Sequence, residues 1–375
     1  MQEKQWIWQD DKYPDFKFDR NALSILLCKV SREDGKLEGI LDSFHQKELE
    51  SLLLESTAQE IVESSQIEGE ILQKESVRSS ILKRLQTLDD PQDHSTDKSD
   101  GLVEMFMDSS TNHNILTNER LFGWHNTLFP SGYSGLHKIN VASYRKEDIS
   151  VVSQKNGREK IHYTAPPPHV LLNEMNRFLE YVNNAQENPY IKAAVVHLWF
   201  LTIHPFDDGN GRIARAITNY ILSKELAYKQ NYYSISNAIA KDKNSYYDIL
   251  EHTQKLLYNK ELTINSWIEW HTNMIKYAIE SSLKQVKTVL QKSLFWERAR
   301  EYSLNQREIK ILNKLLDAGE NGFEGGLNSK KYLSITKTSL ATAKRDIKDL
   351  LEKDLIEKIE GSSGRNTRYK LQLKG

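Results

Sequence analysis

With one cysteine in 375 residues, Cys28, the chain cannot form an intramolecular disulfide framework or a multi-cysteine zinc site. Cys28 itself reads as a small core residue beside Leu26 and Leu27. Long apolar runs are also missing, since none approaches the ~18 residues of a membrane-spanning helix. Nor is there an apolar start: Glu3, Lys4 and Asp10 stand where a signal peptide would carry its hydrophobic region. These absences predict a cytoplasmic protein with no membrane partner. Global disorder is excluded by 38% hydrophobic residues, and a mean hydropathy of -0.62 with 27% charged residues is that of a soluble globular protein. The length predicts two or three domains.

An excess of either charge is lacking overall, with 51 Lys+Arg against 52 Asp+Glu, but the balance is uneven along the chain. Residues 305–375 hold 15 basic and 10 acidic side chains, leaving 36 and 42 for residues 1–304. A basic terminal module on an acidic body could meet nucleic acid or simply be solvated.

Apolar residues recur at helical spacing through Leu23, Leu26, Leu27 and Val30, and again through Leu49, Leu52, Leu53 and Ile61. Residues 89–101 lack a large apolar side chain and read as a surface loop. Near Tyr144 the period changes: Ile149, Val151 and Val152, then Asn156-Gly157, then Ile161 and Tyr163 predict a β-hairpin. Three prolines, 166–168, end it. Helical periods resume through Val170–Leu179, through the apolar run 191–203 that breaks at His204-Pro205, over 212–226, and over 244–300. Beyond residue 305 the pattern is three helices and a hairpin. Ile309, Leu312, Leu315 and Leu316 mark the first, 328–333 the second, and Leu340, Ala343, Ile347, Leu350 and Leu351 the buried face of the third. That order resembles a winged helix-turn-helix. Its third helix would expose Lys337, Thr338, Thr342, Lys344 and Arg345, with Arg365 and Arg368 on the wing, for DNA or for protein contacts.

The densest group of reactive residue types is His204-Pro205-Phe206-Asp207-Asp208-Gly209-Asn210-Gly211-Arg212-Ile213-Ala214-Arg215. A buried helix delivers a histidine, and a Gly-Asn-Gly turn opens the next helix. Glycines allow close backbone approach, and free N–H groups at a helix start attract phosphate. Arg212 and Arg215, three apart, can face one anion. Asp208 is a carboxylate of the kind that holds Mg²⁺ together with substrate phosphates. Histidine is the side chain best poised near neutral pH to take a proton from a hydroxyl.

This stretch resembles the Fic family motif, His-x-Phe-x-Asp/Glu-Gly-Asn-Gly-Arg-x-x-Arg, matched at every defined position. The resemblance implies a mainly α protein, a helical Fic core with a β-hairpin flap, that transfers AMP from ATP to a hydroxyl side chain of a target protein. His204 would be the general base for a Ser, Thr or Tyr acceptor, and Phe206 the loop's anchor. Asp208 would bind Mg²⁺. Gly209, Asn210, Gly211, Arg212, Ile213, Ala214 and Arg215 would form the phosphate cradle, with Arg215 towards the γ-phosphate. Residues 148–164 would be the flap that registers the target chain by strand addition, with Ile161, His162, Tyr163 and Thr164 over the nucleotide. Tyr246 and Tyr247 resemble the family's tyrosine pair beside the adenine. Upstream, Ser64-Ser65-Gln66-Ile67-Glu68-Gly69 resembles the inhibitory helix of the family, in which Glu68 would pair with Arg215; Glu63 and Glu70 read as solvated helix charges. Trp6-Ile7-Trp8-Gln9 and the helices after it look like the leading domain of multi-domain bacterial relatives, without an evident mechanism.

The resulting division is 1–100, a helical segment with the inhibitory helix at about 46–70; 101–300, the Fic core; and 305–375, the winged helix. Expected partners are ATP, the target protein, DNA through 305–375 and a second copy of the chain as a homodimer. Phosphotransfer in the manner of Doc is disfavoured by Gly211, where those relatives carry lysine. Removal of AMP from a modified protein, and a nucleotide-sensing DNA-binding regulator, are the alternatives.

Overall fold

The computed structural model describes residues 4–372 except 86–92, 156–157, 227–231, 319–322, 324, 363 and 365–366. The expected turn Asn156-Gly157 and Arg365 lie outside the described residues. The chain divides into two units, Met1–Ser282 and Leu283–Gly375.

Unit one opens with α1 (Arg20–Leu41), α2 (Gln46–Ile67), α3 (Lys74–Leu85), α4 (Asp97–Thr111) and α5 (Asn118–Leu128). Two hairpins follow, β1 (Tyr133–Ser134) with β2 (His137–Lys138), and β3 (Ser150–Lys155) with β4 (Arg158–Thr164). Then come α6 (Leu171–Asn184), α7 (Pro189–Ile203), α8 (Asn210–Leu226), α9 (Ile235–Lys241), α10 (Lys243–Gln254) and α11 (Asn265–Ala299), whose residues from Leu283 on belong to unit two. The central element is α7, in which every residue from Tyr190 to Ile203 is buried, as an all-round apolar helix requires. Asn188 accepts the Tyr190 N–H and Pro189 occupies the first helical position, so the start is capped in sequence. Packing of α8 along α7, with α4 on the other side of α8, brings the two ends of the 204–215 segment onto the rigid core.

Several expectations are corrected. Cys28 is exposed, because α1 turns Leu23, Val30, Leu37 and Leu41 inward and residue 28 falls outside that stripe. Residues 97–101 are helix, not loop: Thr96 caps α4 through the Ser99 N–H. A Cβ at Gly101 would lie 1.9 Å from the Thr127 carbonyl oxygen, so the residue that looked like a loop marker is where α4 meets α5. The helical run 244–300 is broken between α10 and α11, where Leu262 takes a positive φ of 54°.

In unit two, α12 (Gln306–Asp317), α13 (Ser329–Thr336) and α14 (Leu340–Glu352) precede β5 (Ile356–Lys358), which pairs antiparallel with β6 (Tyr369–Leu371). Ile311, Leu312, Leu315, Tyr332, Ala343, Ile347 and Leu350 form its core. Leu340 departs from expectation and is half exposed, since Ser339 caps α14 and residue 340 sits on its open first turn. Lys337 lies not on α14 but at the end of α13, with φ 52°. Among the described residues no helix is long and apolar enough to cross a membrane.

Candidate active site

His204 follows the last turn of α7, with its N–H on the Phe200 carbonyl (2.9 Å) and a left-handed backbone at φ 50°. That conformation is costly for a residue with a Cβ and needs support. The support is Arg145, a residue the sequence gave no reason to single out. Its backbone N–H donates to Pro205 O (2.9 Å), its Nε to His204 O (2.8 Å), its Nη1 to Glu147 O (2.8 Å) and its Nη2 to Pro166 O. The half-buried imidazole has Nδ1 3.3 Å from Leu201 O, so Nδ1 carries the hydrogen and Nε2 keeps its lone pair. Burial pushes the His204 pKa down to about 4, outweighing the hydrogen bond to Leu201, and the ring is neutral at pH 7.

The loop after it is tied at each residue. Phe206 is buried and stacks on His125, centroids 4.3 Å apart. The Asn210 side chain accepts Phe206 N–H (3.0 Å) and donates to Phe206 O (2.8 Å), closing the loop on itself. His125 accepts the Ala142 N–H at Nδ1 and so donates from Nε2 to Asp208 O (3.2 Å). Gly209 has φ 80°, and a Cβ there would meet the Phe129 ring at 2.9 Å. The Asp208 carboxylate takes the Gly209 N–H (2.5 Å) and the Ser134 hydroxyl. No group of three or more His, Cys, Asp or Glu gathers among the described residues. A lone carboxylate suits Mg²⁺, which brings water and phosphate oxygens of its own, better than a cation caged by protein.

Both motif arginines are buried, at 2% and 3% exposure, and both are held by the end of α2. That helix ends in a Schellman turn, with Glu70 N–H on Ser65 O (2.9 Å), Gly69 N–H on Gln66 O (3.0 Å), and Gly69 at φ 82°. The carboxylates on either side of Gly69 are thereby turned to α8. Arg215 Nη2 donates to Glu68 Oε1 (2.8 Å) and Ser64 O (2.8 Å), and its Nε to Ser64 Oγ (2.8 Å). Desolvation works against the Arg215 charge, and Glu68, with smaller help from Tyr246 and Glu60, more than offsets it. A Cβ at Gly211 would come within 2.1 Å of Glu68 Oε1, so glycine at that position leaves the carboxylate its seat. Glu70 is corrected: it is no solvated charge but pairs with Arg212 Nη1 (2.7 Å), flanked by Lys98 Nζ (3.2 Å). Arg212 Nε and Arg215 Nη1 are buried without a hydrogen-bond partner, two cationic donors suited to an anion.

A cavity of about 490 Å³ lies between the hairpin, α10 and the start of α8. His204, Glu68, Gly211, His162, Tyr163, Tyr246 and Tyr247 line it, with Val151, Val152, Ser153, Leu201, Leu250, Glu251 and Gln254. Ile161 and Thr164 do not, nor do Asp208, Gly209, Asn210, Arg212 and Arg215. Ile213 and Ala214 are fully buried in α8. Tyr246 OH meets His197 Nε2 (3.0 Å), while Tyr247 OH donates to Ile67 O (3.0 Å) and so pins the end of α2. Glu251 receives His162 Nδ1 (2.5 Å), linking α10 to β4, and its partners hold its pKa at about 2 against the pull of burial.

Residues 115–222 match the Fic/DOC family, and residues 6–87 match a domain of unknown function, DUF4172. A probable protein adenylyltransferase of Aquifex aeolicus is 34% identical over 80 residues, covering 21% of this chain and 23% of that protein. A uridine 5'-monophosphate transferase of Xanthomonas campestris is 27% identical over 117 residues, 29% of this chain and 21% of its own. The chain thus spans about a fifth of the length of these relatives. A Fic family protein from Desulfovibrio desulfuricans superposes with a TM-score of 0.53 at 18% identity, over 93% of this chain and 97% of that one. A Fic domain protein from Bacteroides thetaiotaomicron does so at 0.53 and 19%, over 69% and 97%. The complete motif and its seat between α7 and α8 lie within the stretch that matches the Fic/DOC family, and the fold is that of the Fic proteins it superposes on.

Proposed function

We propose that the protein is an adenylyltransferase that moves AMP from ATP to a hydroxyl side chain of a target protein, and that Glu68 restrains it. The observation that carries the reading is the cavity itself: a neutral His204, the Glu68 carboxylate, Gly211 and the hairpin face one space of nucleotide size. His204 Nε2 would take the proton as the acceptor oxygen attacks the α-phosphorus and pyrophosphate leaves. Asp208 would hold Mg²⁺, which supplies charge neutralisation to the phosphates when bound. Arg212 and Arg215 would grip the phosphates once their carboxylate partners let go, and the hairpin edge would register the target chain. Occupation of Arg215 by Glu68 favours a resting state in which the γ-phosphate has no seat. Glu68 beside His204 also supports a second reading, removal of AMP, with the carboxylate orienting a water. In unit two, exposed Lys344 and Arg345 favour a polyanion surface; duplex DNA retarded equally by the chain and by its Lys344→Ala, Arg345→Ala variant would refute that role.

The test is incubation of the purified chain and a cell extract with Mg²⁺ and ATP labelled at the α-phosphate. Protein-bound label on a Ser, Thr or Tyr, located by mass spectrometry and lost with EDTA, is expected. Label that resists EDTA, or that appears equally from γ-labelled ATP, would overturn the assignment.

A further inference from the structure

The tryptophan-rich start of the chain, Trp6-Ile7-Trp8-Gln9, lies within the match to the domain of unknown function and has no part in the chemistry above. Its place in unit one is specific. A 3-10 turn over Ile7–Gln9 is closed by the Gln9 side chain, whose Oε1 accepts the N–H groups of Gln5 (2.7 Å) and Trp6 (2.9 Å). This turn presents both indoles to the root of the β3–β4 hairpin. Trp8 Nε1 donates to Thr164 O (2.8 Å), the last carbonyl of β4. Trp6, 4% exposed, sets its ring edge-on to Tyr163 with centroids 5.3 Å apart. Trp6, Tyr163 and Ala165 form a small apolar cluster of their own, packed by Trp8 and Ile149.

The same hairpin root is fixed from two other sides. Tyr163 OH donates to Thr202 O (2.5 Å), two residues before His204 on α7. His162 meets Glu251 on α10, and Glu251 is bound by Lys255 (2.5 Å), whose ammonium lies 5.8 Å from the Trp6 ring centroid. Gln5 O accepts Leu256 N–H (2.9 Å), so the segment is fastened to the chain just beyond α10 as well. The β3–β4 ladder shifts between Val151 and Val152, whose partners are Tyr163 and Ile161, which leaves His162 as an extra residue on β4. A bulge re-aims the strand beyond it, so the aim of the hairpin depends on what holds Ile149 and Thr164 below that point.

We propose that Trp6 and Trp8 are positioning residues for the hairpin: they fix its root, and thereby the height and register at which its edge stands over His204. The purpose rests on the transfer reaction proposed above; the anchoring does not. The leading segment of the domain of unknown function then acts on the Fic core at the hairpin, while its α2 acts at the arginines.

Backbone amide exchange of the full chain, without nucleotide, tests this. Trp8→Phe keeps the ring and removes the donor to Thr164 O, and should speed exchange of the β3 and β4 amides about fivefold, the weight of one hydrogen bond, with α7 amides unchanged. Trp6→Ala should speed the same amides more, and Trp6→Phe, which keeps an aromatic edge on Tyr163, should restore them. Hairpin exchange unaltered by Trp8→Phe, or acceleration shared equally by α7, would overturn the proposal. Because no AMP transfer is measured, failure of the transfer reading would leave this result intact.

Discussion

All eleven histidines lie in unit one and none in unit two, and the two units also bury polar groups for different ends. Among the described residues of unit two the buried charges are Glu308, which caps its own helix α12, and Asp346 on α14, which receives Arg307 from α12 (2.8 Å) and the Tyr332 hydroxyl from α13 (2.9 Å). In unit one Arg145, Arg212, Arg215, His197 and His271 are buried, and Arg212, Arg215 and His271 keep nitrogen atoms without a hydrogen-bond partner. Burial of unpaired polar groups destabilises a fold. Where a chain tolerates that cost, a ligand or a reaction is the reason to look for, and the described residues of unit two offer no counterpart.

The comparison is broken most sharply at His204. His204→Ala should lower AMP transfer about 10²–10⁴-fold, the weight of general-base assistance, while the melting profile stays as it was; undiminished labelling would remove the histidine from the mechanism. Mild acid separates the units next. Burial pushes His125 down to about 4 and His271 to about 3. Below about pH 6.5 the unfolded chain therefore binds protons that folded unit one refuses, and stability falls by up to about 1.4 kcal/mol per pH unit for each such histidine until the folded pKa is reached. Calorimetry between pH 7 and 4.5 should show the unit-one transition moving down and the unit-two transition holding. Parallel shifts would contradict the contrast. Smaller effects are expected at Glu70, whose pair with Arg212 is partly exposed: Glu70→Ala should raise transfer by no more than about fivefold. Smallest of all is Leu350→Asp, which places a carboxylate in the unit-two core and unfolds it. AMP transfer per molecule should not change, and its loss would show that unit two belongs to the catalytic machinery.

What could be read in the sequence was what is local in it. The 204–215 segment and the hairpin each announce themselves within fewer than twenty residues, because spacing along one helix or turn fixes which side chains share a face, whereas the α2 end is legible only through its resemblance to the family's inhibitory helix. The contacts that complete the site are not local. Arg145 reaches the His204 carbonyl across 59 positions and Glu70 reaches Arg212 across 142. Their residue types are the commonest surface charges, so nothing in their neighbourhood distinguishes them. Gly101 misled for the opposite reason: glycine marks a loop in most settings, and here it marks the close approach of two helices. Cys28 and Leu340 were misplaced by the helical phase, which a run of several apolar residues leaves ambiguous until the partner surface is known.

The central claim is that Glu68 holds Arg215 away from the phosphates, and transfer from α-labelled ATP by Glu68→Gly beside the native chain tests it most directly. With ATP saturating and the two proteins equally folded, freeing Arg215 should raise labelling more than tenfold, since each 1.4 kcal/mol of transition-state positioning regained is about a factor of ten. Arg215→Ala should not reproduce the gain, because it would relieve the pair and remove the proposed phosphate ligand together. Equal labelling by Glu68→Gly and the native chain would contradict the account and leave the end of α2 as an ordinary helix terminus.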